Sequence, residues 1–141
     1  MLKCVGVIEA SATERFVVDD EFVARKNGIK YVDPSFMQRF GGIVVAACGS
    51  RTLVCDMAEF DIANSAAAIE ALKSEGRRKT TLADILAILR HNILNKEARH
   101  VCFVGRYAVR IDWHNGWVLH AFSIKAPGEW QRSRRFISRM P

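Results

Sequence analysis

The stretch from residue 102 to 125, CFVGRYAVRIDWHNGWVLHAFSIK, decides the fold class, because it predicts two β-strands joined by a tight turn. Asn115-Gly116 favours the positive φ angles that a two-residue type I′ turn requires. With this loop, His114 is opposite Trp117, and side chains alternate between the two faces of the hairpin. The predicted core face carries Tyr107, Val109, Ile111, Trp113, Val118, His120, Phe122 and Ile124.

The opposite face of this hairpin is the predicted binding face. In the same register Arg106 is opposite Lys125 and Arg110 is opposite Ala121, so cations lie beside small residues. A single-stranded nucleic acid requires cations for its phosphates and flat rings for its bases. An antiparallel sheet also commonly has one solvated face of this composition, and that interpretation stays open. The predicted binding residues of the hairpin are Arg106, Arg110, His114, Trp117, Ser123 and Lys125.

Two further hairpins are predicted in the N-terminal half. Asn27-Gly28 lies between two β-prone runs, and Gly49-Ser50 suits a type II′ turn within residues 43–56. Both turns join strands that are close in sequence. The sequence therefore predicts an antiparallel sheet built from hairpins with turns at 27–28, 49–50 and 115–116.

Two central helices are predicted to cover this sheet. The first runs over about 65–75 and ends at Gly76. The second runs over about 81–95, where Thr81 and Asp84 have capping-box spacing and the following apolar residues repeat at helical spacing. Strands followed by helices and again by strands indicate a single α+β domain over residues 1–141.

The net charge of +6 is distributed unevenly. Residues 1–75 carry 8 Lys and Arg against 11 Asp and Glu, a net of −3, whereas residues 76–141 carry 13 against 4, a net of +9. An acidic-leaning half followed by a strongly basic half indicates a polyanion or an acidic protein surface as partner. The alternative is that the two halves pack together and neutralise each other.

Two short basic segments extend the candidate site beyond the hairpin. The linker Arg77-Arg78-Lys79 precedes the second helix, whose N-terminal dipole would also favour an anion. The tail carries Arg132, Arg134 and Arg135 close to aromatic residues, either as a strand or as a helix. Solvated surface charge is the competing interpretation of both segments.

Metal sites, cofactors and membrane segments have no support in the sequence. The four cysteines lack C-x-x-C spacing, the four histidines lack H-E-x-x-H spacing, and no apolar run reaches the length of a membrane span. The N-terminal MLKCVGVIEA is a poor secretory signal because Glu9 ends its short apolar run. We therefore expect a cytoplasmic protein without metal or cofactor.

The favoured hypothesis is a small basic protein that binds RNA or single-stranded DNA. A metal-independent ribonuclease is one form of it, with His114 and Arg110 as catalytic residues. In architecture alone, a helix followed by basic strands, residues 80–140 are similar to small bacterial ribonuclease toxins. The alternative hypothesis is a non-enzymatic regulator or inhibitor of phage or plasmid type that binds an acidic protein. Exposed strand edges would also allow a homodimer.

Overall fold

The computed structural model describes residues 2–12, 15–19, 28–62, 64–91, 94–125 and 133–141, except for the side chains of Ala12, Cys48 and Ser133. This part of the chain forms nine strands and three helices. The strands are β1 (Leu2–Ala12), β2 (Phe16–Val17), β3 (Ile29–Val32), β4 (Val44–Val45), β5 (Cys48–Ile62), β6 (His100–Val104), β7 (Tyr107–Trp113), β8 (Trp117–Ser123) and β9 (Ser133–Arg139). The helices are α1 (Pro34–Phe40), α2 (Ser65–Ser74) and α3 (Leu82–His91).

Seven of these strands form one sheet in the order β1-β5-β9-β6-β7-β8-β3. Its pairs are antiparallel except for β6 with β9 and β3 with β8, which are parallel. Strands β2 and β4 form a separate antiparallel pair. The α+β prediction is confirmed as a mostly antiparallel mixed sheet with three helices. The C-terminal tail lies inside this sheet, since β9 is between β5 and β6.

The predicted helices lie on opposite faces of the sheet. α3 buries eight of its ten residues, and six of these belong to the larger core cluster, together with residues of α1 and the β7 residues Val109 and Ile111. α2 packs through Ala68 and Leu72 against a smaller cluster on the other face. The end of α3 differs from the prediction, because Leu94 and Asn95 are not helical.

Helix α1 is absent from the sequence prediction, which contains only the two central helices. Asp33 is its N-cap and accepts a hydrogen bond from the Ser35 N–H at 2.9 Å. Proline is favoured at the first helical position because the missing N–H would have no helical partner there. Phe36 and Phe40 are buried on the face that α3 also covers, so α1 is part of the core.

The predicted hairpin turn at Gly49-Ser50 is wrong. Both residues lie inside β5, which pairs along its length with β1 rather than with the preceding residues. A type II′ turn needs a positive φ at its glycine, and Gly49 is not among the glycines with positive φ. The long-range pairing with β1 therefore replaces the local hairpin.

The turn at 27–28 is only partly described. Gly28 has a φ of +74°, as a turn glycine should, but Asn27 and the strand expected before it lie outside the described residues. The strand after the turn, β3, pairs in parallel with β8 at the edge of the sheet.

The hairpin of β7 and β8 forms around 115–116, but its register differs by one residue from the prediction. Trp113 pairs with Trp117, so the loop contains His114 as well as Asn115 and Gly116. Because side chains alternate along a strand, this slip exchanges the two faces of β8. Arg110 is therefore opposite His120 instead of Ala121.

Candidate polyanion-binding surface

The one-residue register difference removes Trp117 from the predicted binding face. Its side chain is only 2% exposed and packs edge-on against Trp113, with ring centroids 4.9 Å apart. His114 remains exposed in the loop, where its carbonyl accepts a hydrogen bond from Lys30 Nζ at 2.8 Å. A tryptophan in the core cannot stack on a base, so the predicted cation and aromatic face does not form.

Arg110 occupies the predicted face, but it is paired with the carboxylate of Asp112. Its Nε lies 3.0 Å from Asp112 Oδ2, and Arg99 Nε lies 3.2 Å from the other oxygen of the same carboxylate. The guanidinium carbon is 5.3 Å from the centre of the Phe122 ring, and the side chain is 11% exposed. Burial lowers the pKa of Arg110, and the Asp112 charge opposes this. Arg110 is therefore part of a partly buried charge network rather than an open phosphate ligand.

His120 lies beside Arg110, although the sequence analysis placed it in the core. Its Nδ1 is 3.7 Å from Asp33 Oδ1, and its ring is parallel to Phe122. Burial and, second, the Arg110 charge lower its pKa, so the imidazole is neutral at pH 7. The predicted catalytic pair, His114 and Arg110, is not brought together, because His114 lies in the loop beyond the end of β7. His120 could have been identified as a neighbour of Arg110 only from the correct register of the β7–β8 hairpin.

Cations from separate parts of the chain converge at one end of the sheet. The parallel strands β6 and β9 end together, at Val104 and Arg139. Arg78 forms a backbone bridge with Arg139, with N···O distances of 2.7 and 2.9 Å. This connection brings the basic linker to the end of the sheet where β6 and β9 terminate.

The turn from β6 to β7 lies at the same end. Lys79 Nζ donates a hydrogen bond to the Gly105 carbonyl at 3.0 Å. The Arg106 carbonyl in turn accepts from the Ile124 N–H, which places Lys125 in the same region. The hairpin and the linker, which are separate in sequence, therefore form one surface.

We define the basic end as five exposed cations at this end of the sheet: Lys73, Arg78, Lys79, Arg106 and Lys125. Lys73 comes from the last turn of α2 and lines the same cavity as Arg78 and Lys79. The sequence analysis missed it, because a single lysine near a helix end carries no specific signal. The ion pairs among the described residues involve Arg51, Arg77, Arg99, Arg110 and His120, and none includes a member of the basic end.

Arg77, a predicted binding residue, has a structural contact instead. Its Nε is 3.1 Å from Asp56 Oδ2 and its Nη2 is 3.3 Å from the other carboxylate oxygen. The hydrogen bond to Asp56 raises the pKa of Arg77, and Asp56 is 1% exposed. A bidentate pair with a buried carboxylate holds the guanidinium against the sheet and neutralises most of its charge.

The remaining predicted residues are scattered. Arg134 is exposed and donates to the Ala58 carbonyl at 3.1 Å, whereas Arg135 lies on the opposite face of β9 with Ile137. The Ser123 hydroxyl accepts from the Lys125 N–H at 3.2 Å. Arg132 lies outside the described residues.

The N-terminus of α3 does not present a free anion site. The Thr81 N–H donates to Asp84 Oδ2 at 2.8 Å, and the Asp84 N–H donates to the Thr81 hydroxyl at 3.3 Å, so the predicted capping box is confirmed. Arg51 Nη1 is 3.2 Å from the same carboxylate. The helix thus carries its own anion at the end where a ligand was expected.

In comparisons with models of protein families, with curated proteins and with solved structures, nothing matches this chain. The architectural similarity to ribonuclease toxins therefore has no support from these comparisons. Within the described ranges, none of the three helices has the length and apolar character needed to cross a membrane. Likewise, the described residues contain no group of three or more histidine, cysteine or acidic side chains arranged for a metal ion.

Proposed function

We propose that this protein binds a polyanion, specifically RNA or single-stranded DNA, through the basic end of its sheet. The observation that supports the proposal is the convergence of three separate segments, namely α2, the linker before α3 and the β7–β8 hairpin, on one exposed cationic surface. Cations without a carboxylate partner attract phosphates over a longer range than cations in ion pairs do.

The proposal is tested by fluorescence anisotropy of labelled single-stranded RNA at several salt concentrations. The double variant Arg106→Gln/Lys125→Gln removes two charges from the basic end. If each cation contacts one phosphate, the slope of log affinity against log salt falls by about 1.4, since each contact on a single strand contributes about 0.7.

The matched control is Lys3→Gln/Lys96→Gln, which removes two exposed lysines outside the basic end. It should leave the slope unchanged. Equal effects of the two double variants would reassign the binding surface, and no RNA binding at low salt would overturn the proposal. In that case, co-purification with an acidic protein would support the alternative of a non-enzymatic regulator.

The same samples test for ribonuclease activity on a denaturing gel. Arg110 and His120 are neighbours on the sheet and His120 is neutral at pH 7, which suits a general base. Shortened RNA that disappears in His120→Ala, but persists in His114→Ala, would assign cleavage to this pair. Intact RNA in the wild-type sample would limit the function to binding.

A further inference from the structure

We infer that the cavity at the basic end holds one unpaired nucleobase, so that the protein binds single strands in preference to duplexes. This inference rests on the proposed function and assigns a ligand to one part of the same surface. The cavity has a volume of about 320 Å³ and lies between α2 and the sheet. Small-molecule pockets typically span about 300–1,000 Å³, so this one suits a small planar group rather than a base pair.

The floor of the cavity is apolar. Ile137 of β9 lines the cavity, although its side chain packs in the core on the other face of the sheet. The floor consists of the side chains of Ile69 and Leu72 from α2 and Phe103 from β6. These side chains cannot hydrogen-bond to a phosphate, and a phosphate placed on them would lose its hydration without compensation. The two faces of a nucleobase are apolar, and burying them against such a floor is favourable.

The rim of the cavity is cationic. Lys73, Arg78 and Lys79 line it and are exposed, so they are placed to contact the phosphates on either side of an inserted base. Lys79 uses one of its three donors on the Gly105 carbonyl, which fixes the ammonium at the rim and leaves two donors. Arg77 also lines the cavity, but Asp56 holds its guanidinium, so it forms a wall.

A cavity with an apolar floor and a cationic rim discriminates between single-stranded and double-stranded nucleic acids rather than between base sequences. A paired base is stacked and hydrogen-bonded in a helix, and entering the cavity would cost the free energy of unpairing it. An unpaired base enters at much lower cost. The described lining offers three apolar side chains, those of Ile69, Leu72 and Phe103, and four cationic residues, and the apolar contacts are available to every base.

The first experiment compares the affinity of the full chain for a single-stranded RNA, for its duplex, and for an abasic strand of equal length and charge. We expect the single strand to bind about tenfold more tightly than the other two, a difference of about 1.4 kcal/mol, because only the unpaired base can be buried in the cavity. The abasic strand tests the inference without any change to the protein. Equal affinities for all three, with a steep salt dependence, would overturn the inference and retain the proposed function.

The second experiment fills the cavity without changing any charge. Ile69→Phe adds bulk at the floor, and the matched control Ala66→Phe adds the same ring at an exposed position on the same helix. We expect Ile69→Phe to lower single-strand affinity to the level of the abasic strand while leaving the salt slope unchanged. An unchanged preference in folded Ile69→Phe would contradict the inference, and no binding of any strand by the wild type would overturn both proposals.

Discussion

The two parts of the β7–β8 hairpin use their cations differently. In the middle of the hairpin, Arg110 is 11% exposed and shares the Asp112 carboxylate with Arg99. At the end of the same hairpin, Arg106 and Lys125 are exposed and belong to no ion pair among the described residues. Only three residues of β7 separate Arg110, which supports the fold, from Arg106, whose charge is exposed to solvent.

The number of cations in a segment therefore does not determine the electrostatic field around that segment. A partly buried guanidinium needs a carboxylate because the loss of hydration would otherwise destabilise the folded state. An exposed cation has no such requirement and contributes to the external potential. We therefore expect changes in the middle of the hairpin to alter stability, and changes at its end to alter binding.

The largest expected effect concerns Trp117, which the register places in the core. Trp117→Ala should lower the free energy of unfolding by about 4 kcal/mol, because a large buried side chain leaves a cavity. The measurement is urea denaturation followed by circular dichroism. His114→Ala, across the same turn, should change stability by less than about 0.5 kcal/mol, because His114 is exposed. The reverse order of these two effects would support the two-residue loop.

The next largest expected effect on stability concerns Asp112, whose carboxylate lies in the middle of the hairpin. Asp112→Ala should destabilise the protein by about 3 kcal/mol, because it leaves Arg110 partly buried without its partner. The double variant Arg110→Met/Asp112→Leu removes both charges and should recover most of this loss, as seen for buried pairs replaced by apolar residues. A small effect of Asp112→Ala in thermal and urea unfolding would show that solvent already screens this pair.

The sequence predicted what depends on local pattern and missed what depends on distant partners. The capping box of Thr81 and Asp84 is confirmed because all its atoms lie within one turn. The prediction of a turn at Gly49-Ser50 was wrong, because β1, about 40 residues away, pairs with β5 at this position. The turn at Asn115-Gly116 was located correctly, but this dipeptide favours a two-residue loop and does not exclude the three-residue loop that the structure has.

The candidate site followed the same rule. Arg106, Lys125, Arg78 and Lys79 were identified from local basic character, and they lie at one end of the sheet. Their common location depends on the pairing of Arg78 with Arg139 and on the order of β9 and β6, which no local pattern contains. The prediction for Trp117 was wrong, because a shift of one residue in the strand register moves its side chain to the other face of the sheet.

A buried histidine in the middle of the sheet, His100, should make the free energy of unfolding depend on pH. His100 is 1% exposed, and burial lowers its pKa from 6.5 to about 4. As the pH falls, the unfolded chain therefore binds a proton at His100 before the folded chain does. The contribution of neutral His100 to the free energy of unfolding is complete above about pH 6.5 and is lost as the pH falls toward 4. We expect His100 to account for a loss of about 2 kcal/mol between pH 7 and pH 5.

The measurement for this prediction is urea unfolding at a series of pH values. In His100→Gln the loss of stability between pH 7 and pH 5 should be smaller by that amount. Parallel pH profiles for wild type and His100→Gln would mean that the folded protein accommodates a charged His100.

The smallest expected effect on stability is at the basic end, and it separates the two regions most clearly. Arg106→Gln/Lys125→Gln removes two exposed cations that have no carboxylate partner among the described residues, so the free energy of unfolding should change by less than about 0.5 kcal/mol. Removal of like charges from one surface should, if anything, stabilise the fold slightly, and this gain should vanish at high salt. A loss above about 1 kcal/mol would show that these cations hold the hairpin in place, and the division between supporting and solvent-directed cations would then fail. Unchanged stability together with a weaker salt dependence of RNA binding would confirm this division. Only a charge that contacts the ligand changes the salt dependence of binding without changing the stability of the fold.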